Sequence, residues 1–186
     1  LRGVLVVSPH MSWLDVFAIG AVLPGWYVAR ADMFGQLTAR LLNIIPIERA
    51  SLRRLPTVVD TVADRLRAGQ TVVAFPEGTT WCGVACGSFY PAMFQAAIDS
   101  GRPVQPLRLT YHHVDGLIST APAFVGDDTL WAAMCRLISQ RRTLAHVHVE
   151  SLQLPGADRR ALARRCQSAV GVGVAQRPGR RHVLVA

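Results

Sequence analysis

Two short polar segments carry the residues of this chain that are best suited to do chemistry. The apolar run Val4–Val7 leads into His10, with Asp15 shortly after, and the apolar run Thr71–Phe75 leads into Glu77. Functional groups gather at the strand ends of α/β sheets, and a histidine beside a carboxylate can remove the proton of a hydroxyl group. The pattern therefore indicates an enzyme that activates a hydroxyl. The spacing also fits a structural pair, in which His10 caps a strand and Asp15 begins a helix.

The second segment is the more specific one. Phe75–Thr79 reads Phe-Pro-Glu-Gly-Thr, and Pro9–Asp15 precedes it. Together they resemble the glycerolipid acyltransferases, the family of 1-acyl-glycerol-3-phosphate acyltransferase, whose first block is Asn-His-x-Ser-x-x-Asp and whose third is Phe-Pro-Glu-Gly-Thr. The second and fourth blocks of that family resemble Ile44–Arg49 and Arg102–Pro106. All four lie in the family's order, so the resemblance covers residues 3–112 of this chain.

The resemblance implies an O-acyltransferase of phospholipid biosynthesis. The enzyme would move a fatty acyl chain from acyl-CoA or acyl-carrier protein to the hydroxyl of a lysophospholipid, turning 1-acyl-glycerol-3-phosphate into phosphatidic acid. His10 and Asp15 would be catalytic, and Arg49 would grip the phosphate of the acceptor. The full set of substrate-binding residues that the resemblance implies is Arg49, Glu77, Gly78, Thr79 and Pro106. From the residues alone, Arg49 could instead form a surface ion pair, and Glu77 could cap a helix.

The chemistry follows from the weak nucleophilicity of an alcohol. Neutral His10 can take its proton as it attacks the thioester, while Asp15 would hold the other ring nitrogen as N–H and stabilise the imidazolium. We therefore expect His10→Ala to abolish transfer and Asp15→Asn to be nearly as damaging, through the wrong tautomer. Backbone N–H groups of Phe75–Thr80 are candidates for binding the oxyanion. Because a thioester is already activated, we expect no covalent intermediate and no cofactor.

Several positions depart from the family pattern. Pro9 stands where Asn is usual, Thr80 and Trp81 stand where many members carry Arg-Ser, and Gln105 interrupts the apolar fourth block. These departures leave the acceptor open among lysophosphatidate, a lyso-amino-acid lipid and a lipid-linked sugar. A catalytically silent lipid-binding module is a third interpretation, but such a module has no need of a base paired with a carboxylate.

The charge of the chain bears on its partners. The net charge is +8, the isoelectric point is about 10.6, and all 20 basic residues are Arg. A positive field favours anionic membrane surfaces, phosphate-bearing substrates and acidic carrier proteins. No nucleic-acid-binding motif is present, so we expect no nucleic-acid partner. We interpret Arg159, Arg160, Arg164 and Arg165 as a solvated helix face, with lipid head groups as the alternative.

The four cysteines do not predict a disulfide framework in a chain of this length. Cys82 and Cys86, with His112 and His113 downstream, could be half of a zinc site. The spacing is not a common one and no second cysteine pair follows. We therefore interpret them as free thiols of a glycine-rich loop and expect no metal site.

The sequence also bears on location. No apolar run reaches the ~18 residues of a membrane span, and the best one, Val16–Ala29, is broken by Pro24 and Gly25. The chain begins with Leu1, close before the first predicted strand, and we expect no signal peptide. We expect the catalytic part of a longer protein at the cytoplasmic face of the cell membrane, held there peripherally or by an N-terminal segment absent from this chain.

Hydrophobic periodicity and the positions of Gly and Pro predict the elements that hold these residues. Helix 55–66 has Pro56 in its first turn and Gly69 at its end. Strands alternating with helices predict a single α/β domain, residues 1–175, with a mixed, largely parallel sheet flanked by helices. The Arg- and Gly-rich tail, 176–186, is expected to be loosely ordered. The other predicted elements are strands near 3–8, 26–29, 44–47, 71–75, 104–111 and 145–154, and helices near 13–22, 34–42, 92–100, 130–140 and 162–170.

Overall fold

The apolar runs of the sequence form the strands of one sheet. The computed structural model describes residues 2–30, 43–47, 52–82, 87–123, 129–139, 142–171 and 180–185. The strands in these ranges are β1 Leu5–Val7, β2 Trp26–Arg30, β3 Ile44–Ile47, β4 Val72–Ala74, β5 Val104–His112, β6 Leu144–Val149 and β7 Arg180–Val185. β1 and β4 are buried along their whole length, as continuous apolar strands of a parallel sheet are.

Five helices of the described ranges cover the sheet: α1 Leu14–Val22, α2 Leu55–Arg67, α3 Phe94–Ser100, α4 Leu130–Ile138 and α5 Arg159–Gly171. Pro56 lies in the first turn of α2, and Gly69 follows its end with φ +80°. Gly101 ends α3 with φ +63°, a conformation that glycine adopts without a Cβ clash. None of these helices is long and apolar enough to cross a bilayer.

The strand order is β3-β2-β4-β1-β5-β6-β7. β3, β2, β4, β1 and β5 run parallel, while β6 and β7 add an antiparallel pair at one edge. This confirms the predicted single α/β domain with a mixed, largely parallel sheet.

The residues of each strand alternate between two apolar layers. Leu5 and Val7 of β1 pack with α2, α3 and α5 on one face, and Val6 packs with α1 on the other. Near the end of β5, Leu109 packs against this second layer and also against a smaller apolar cluster that contains Met11 and Tyr111. The two apolar layers therefore hold β1 and β4 from both faces of the sheet, and this fixes the positions from which the two following loops begin.

The structure differs from the predicted elements at the tail and at strand 145–154. The tail is not loosely ordered throughout, because residues 180–185 form β7 and pair antiparallel with β6 from Leu144 to Val149. The predicted strand 145–154 ends at Val149, after which Gln153 makes only an isolated bridge to Val104. The predicted helix 34–42 lies outside the described residues.

Candidate active site

The two polar segments meet at one edge of the sheet. β1 and β4 are parallel neighbours, with Val7 beside Ala74, so the loops that follow them leave the sheet side by side. β5 flanks β1 on its other side and is also parallel to it. The carboxyl ends of three adjacent strands thus converge, as expected for a ligand site in an open α/β sheet.

His10 and Asp15 form the predicted pair. Nδ1 of His10 lies 2.9 Å from Oδ2 of Asp15; the histidine side chain is 19% exposed and the aspartate side chain is fully buried. With the proton on Nδ1 and donated to the carboxylate, Nε2 is left unprotonated as a base. Among the described residues no group hydrogen-bonds Nε2 of His10. The arrangement can therefore accept a proton from a substrate hydroxyl.

Four donors hold the buried carboxylate of Asp15. Its Oδ2 accepts the backbone N–H of Met11 at 2.8 Å and of Ser12 at 2.9 Å, as well as Nδ1 of His10. Its Oδ1 accepts the hydroxyl of Tyr111 at 2.8 Å. A buried carboxylate needs such hydrogen bonds to replace those it loses with water. The loop from His10 to Ser12 therefore wraps around the carboxylate. This explains why Asp15 lies five residues after His10: the short loop between them lets three consecutive residues bind the same oxygen.

The imidazole ring is also fixed from other directions. The ring of His10 stacks on Phe75 with a centroid distance of 4.1 Å and an interplanar angle of 23°. Its backbone carbonyl accepts the N–H of Trp81 at 2.8 Å. The loop that follows β4 thus positions the base as well as lying beside it.

Glu77 is a buried brace between two loops. It is 3% exposed, and its Oε2 accepts the backbone N–H of His10 at 2.8 Å while Oε1 accepts that of Gly87 at 2.7 Å. The carbonyl of Gly87 in turn accepts Nε2 of Gln167, on α5, at 3.2 Å. Burial raises the pKa of Glu77, and the two backbone N–H groups oppose that rise. Residues 78–82, the described residues that directly follow Glu77, form a bend and an irregular loop rather than the first turn of a helix, so the helix-cap alternative is wrong.

The other predicted substrate-binding residues are spread more widely. Gly78 and Thr79 are exposed in the loop after β4, where Gly78 has φ +67° and donates its N–H to the carbonyl of Phe75. This bond removes Gly78 from the candidate oxyanion donors. Pro106 is buried in β5 in register with Val7, the last residue of β1 before the segment that leads to His10. Arg49 lies outside the described residues, and the roles implied for these residues remain predictions.

Two departures from the family pattern have structural explanations. Gln105 is 6% exposed, and its Nε2 donates to the carbonyl of Glu150 at 2.6 Å, so it joins β5 to the end of β6. The ring of Trp81 lies over Gly87, where a Cβ would come within 2.6 Å of the indole nitrogen. Gly87 therefore lets Trp81 lie against the same backbone that Glu77 holds.

The thiols and arginines lie apart from this pair. Cys166 is buried in α5, where burial raises its pKa to about 12, and Cys135 is exposed. Cys82 is partly buried, Cys86 is not among the described residues, and within the described ranges no cluster of His, Cys, Asp or Glu is arranged to hold a metal ion. Arg159, Arg160, Arg164 and Arg165 of α5 are exposed, which fits both a solvated face and contact with lipid head groups.

A surface cavity of about 560 Å³ lies between α5 and the segment that follows β6. Its lining includes Gln153, which bridges Val104 at the amino end of β5. The cavity is therefore at the opposite edge of the sheet from His10 and is not the site of the base.

Sequence reasoning missed two functional contacts. Tyr111 comes from β5, 96 residues after Asp15, and reads in the sequence as one more apolar strand residue. The motif predicts that Glu77 touches substrate, and in the structure its carboxylate accepts the backbone N–H of His10. No spacing signal joins either residue to His10, because both contacts depend on which strands are neighbours.

Comparison with known proteins agrees with this geometry. Residues 1–110 match the family Acyltransferase. The chain is 30% identical over 172 residues to the lyso-ornithine lipid O-acyltransferase of Pseudomonas aeruginosa, covering 89% of this chain and 66% of that protein. It is 32% identical over 151 residues to the 1-acyl-sn-glycerol-3-phosphate acyltransferase of Neisseria meningitidis, covering 78% of this chain and 58% of that protein.

The fold agrees as well. The crystal structure of the 1-acyl-sn-glycerophosphate (LPA) acyltransferase of Thermotoga maritima matches with a TM-score of 0.62 and 18% identity, covering 91% of this chain and 64% of that one. This chain spans between 58% and 66% of the length of these three relatives. The match of more than half of its residues to the family confirms the resemblance seen in the motifs, and the chain belongs to the Acyltransferase family.

Proposed function

We propose that the chain is the catalytic part of an enzyme that transfers an acyl group from a thioester to the hydroxyl of a lysolipid. One observation carries the proposal: a half-buried His10 whose Nδ1 is bound to a fully buried Asp15 and whose Nε2 is left for substrate. The hydroxyl oxygen attacks the thioester carbonyl as Nε2 takes its proton. The tetrahedral intermediate then expels the thiolate, which takes the proton from the imidazolium and leaves as the free thiol.

The donor in this proposal is acyl-CoA or acyl-carrier protein. In both donors the leaving group is a thiolate, which leaves more readily than an alkoxide. Transfer through a single tetrahedral intermediate is therefore sufficient. No metal or other cofactor takes part in the proposed step. The net charge of +8 suits a donor that carries phosphate groups or an acidic surface.

The acceptor that we favour is 1-acyl-glycerol-3-phosphate, which would give phosphatidic acid. Two relatives from Neisseria species, each 32% identical to this chain, are named 1-acyl-sn-glycerol-3-phosphate acyltransferase. The phosphate would be bound by Arg49, and the exposed Gly78 and Thr79 would lie beside the reacting hydroxyl. A lyso-ornithine lipid is the second candidate, because relatives with that name include one that matches 89% of this chain.

We further propose that the protein works at the cytoplasmic surface of the membrane. The hairpin that follows β5 exposes Val114, Leu117 and Ile118 by 64%, 66% and 61%. Its turn is preformed, since the N–H of His113 donates to the carbonyl of Leu117 at 2.9 Å. The hairpin extends from the carboxyl end of β5, which is the edge of the sheet where His10 lies. Apolar residues at this edge suit a surface from which lipid enters the site.

The test is an assay of the full-length protein with a thioester donor against a panel of lysolipids, following release of free thiol. We expect His10→Ala to lower turnover by ~10²–10⁴-fold while the protein stays folded. His148→Ala is the matched control, because His148 is also partly buried but lies in β6, on the face of the sheet opposite to Asp15. Wild-type turnover in folded His10→Ala would remove His10 from the mechanism, whereas a wild type that transfers no acyl group to any lysolipid of the panel would favour a lipid-binding module.

A further inference from the structure

We propose that Tyr111 is a positioning residue of this site, whose hydroxyl fixes the carboxylate of Asp15 and, through it, the ring of His10. For the reaction that the pair serves, this inference rests on the proposed function. The tyrosine is buried behind the aspartate and acts through it rather than on substrate.

The two oxygens of Asp15 are bound on opposite sides. Oδ2 accepts three N–H groups, from His10, Met11 and Ser12. Oδ1 accepts the hydroxyl of Tyr111 at 2.8 Å, and among the described residues no other group donates to it. Rotation about the Cβ–Cγ bond would move Oδ2 away from its three donors and Oδ1 away from Tyr111. The tyrosine therefore resists this rotation from the side opposite to His10 and helps to hold the plane in which Oδ2 meets Nδ1 of His10.

Tyr111 is itself held rigidly. It is 1% exposed and shares a buried cluster with Met11, from the loop of the base, and Ala18, from α1. Its backbone carbonyl accepts the N–H of Ser119 at 2.8 Å, and its cross-strand partner in β6 is the small residue Ala145. A side chain fixed at both the backbone and the ring can transmit the position of β5 to the carboxylate.

The hydroxyl of Tyr111 remains a donor over the working range of an enzyme. Burial, and then the charge of Asp15, raise the pKa of Tyr111 well above its usual value of 10.0. A protonated hydroxyl facing a carboxylate oxygen can only donate to it. The direction of the bond is thus fixed, and the bond keeps its geometry as His10 gains and loses a proton.

Tyr27 provides a matched comparison within the same chain. It is 4% exposed and packs on the same face of the sheet, but its hydroxyl has no hydrogen-bond partner among the described residues. Tyr27→Phe and Tyr111→Phe therefore remove the same atom from two buried sites. Only the second removal touches Asp15.

The experiment measures both variants, with His10→Ala in parallel, in the full-length protein. We expect Tyr111→Phe to lower kcat by about 5-fold, because the lost hydrogen bond affects kcat only through the position of His10 in the transition state. KM for donor and acceptor should stay unchanged, because Tyr111 contacts neither. In the free protein, the proton NMR resonance of the Nδ1–H group of His10 should shift in Tyr111→Phe and stay in place in Tyr27→Phe.

Each outcome decides the matter. Folded Tyr111→Phe with wild-type kcat and an unmoved resonance overturns the proposal, as does an equal effect of Tyr27→Phe. If Tyr111→Phe does not fold, 3-fluorotyrosine at the three tyrosines of the chain gives a stronger donor, and an unmoved resonance then overturns it. If the wild type transfers no acyl group, the proposed function fails, while the resonance still decides whether Tyr111 positions the pair.

Discussion

Asp15→Asn separates the charge of Asp15 from its geometry. An amide has the shape of a carboxylate, but its oxygen only accepts and its NH₂ only donates. The place of Oδ2 faces three N–H groups, from His10, Met11 and Ser12, so the amide oxygen should occupy it. The NH₂ group then faces Tyr111, whose hydroxyl can rotate to accept a hydrogen bond. The histidine consequently keeps its proton on Nδ1.

The expected loss follows from the charge alone. A hydrogen bond to a charged group contributes ~1.5–3 kcal/mol, and one between neutral groups ~0.5–1.5 kcal/mol. The difference is about 1–1.5 kcal/mol, so the imidazolium formed during transfer loses that much stabilisation and kcat should fall roughly 5- to 10-fold. This is far milder than the ~10²–10⁴-fold expected for His10→Ala. It is also milder than the sequence alone predicts for Asp15→Asn.

The assay is thiol release at saturating donor and acceptor, with the fold of each variant checked by circular dichroism. Asp64→Asn is the matched control, since the side chain of Asp64 is 76% exposed and pairs with Arg67 on the surface of α2. If Asp15→Asn is as inactive as His10→Ala, the amide is reversed and the tautomer is wrong, which contradicts the assignment of the three N–H donors to one oxygen. A wild-type kcat would show that the charge of Asp15 does not act on the imidazolium.

Three further predictions concern the acceptor, the thiols and the membrane. Arg49→Ala should raise KM for a phosphate-bearing acceptor about 10- to 100-fold with little change in kcat, and Arg49→Lys should recover part of this; unaltered acceptor KM would favour an acceptor without phosphate. At pH 8, iodoacetamide should label exposed Cys135 quickly and buried Cys166 only on unfolding. Burial raises the pKa of Cys166 to about 12, so at pH 8 its thiol is almost wholly protonated and the reactive thiolate would form only at higher pH. Early labelling of Cys166 in mass spectra would contradict this. Leu117→Ser should weaken sedimentation with anionic vesicles several-fold, whereas Leu154→Ser, 69% exposed at the opposite edge of the sheet, should not; equal effects would exclude the hairpin.

The sequence was sufficient for the parts of the fold that depend on local patterns. Continuous apolar runs marked β1 and β4, and a proline and a glycine marked the limits of α2. The contact between His10 and Asp15 could be predicted because both residues lie in one short loop. β7 was missed, since its arginines and glycine-rich approach read as a solvated tail, and only its pairing with β6 makes it a strand.

The contacts that could not be predicted join segments far apart in the chain. The sequence places Tyr111 on a strand but does not say that β5 lies beside β1, and without that neighbour relation the tyrosine has no link to Asp15. Glu77 shows the same limit in another form. Its motif marks it as functional, but the contact of its carboxylate with the backbone of His10 depends on β4 being the other neighbour of β1.

Pro9 directly precedes three consecutive residues whose backbone N–H groups all donate to buried carboxylates, and this explains why a proline is tolerated at its position. The N–H group of His10 donates to Glu77, and those of Met11 and Ser12 donate to Asp15. A proline at any of these three positions would remove a donor that a buried carboxylate needs. Pro9 lies just before them, so the loss of its own N–H leaves both carboxylates served. The departure from the family's Asn therefore leaves in place every backbone donor that Glu77 and Asp15 receive from this loop.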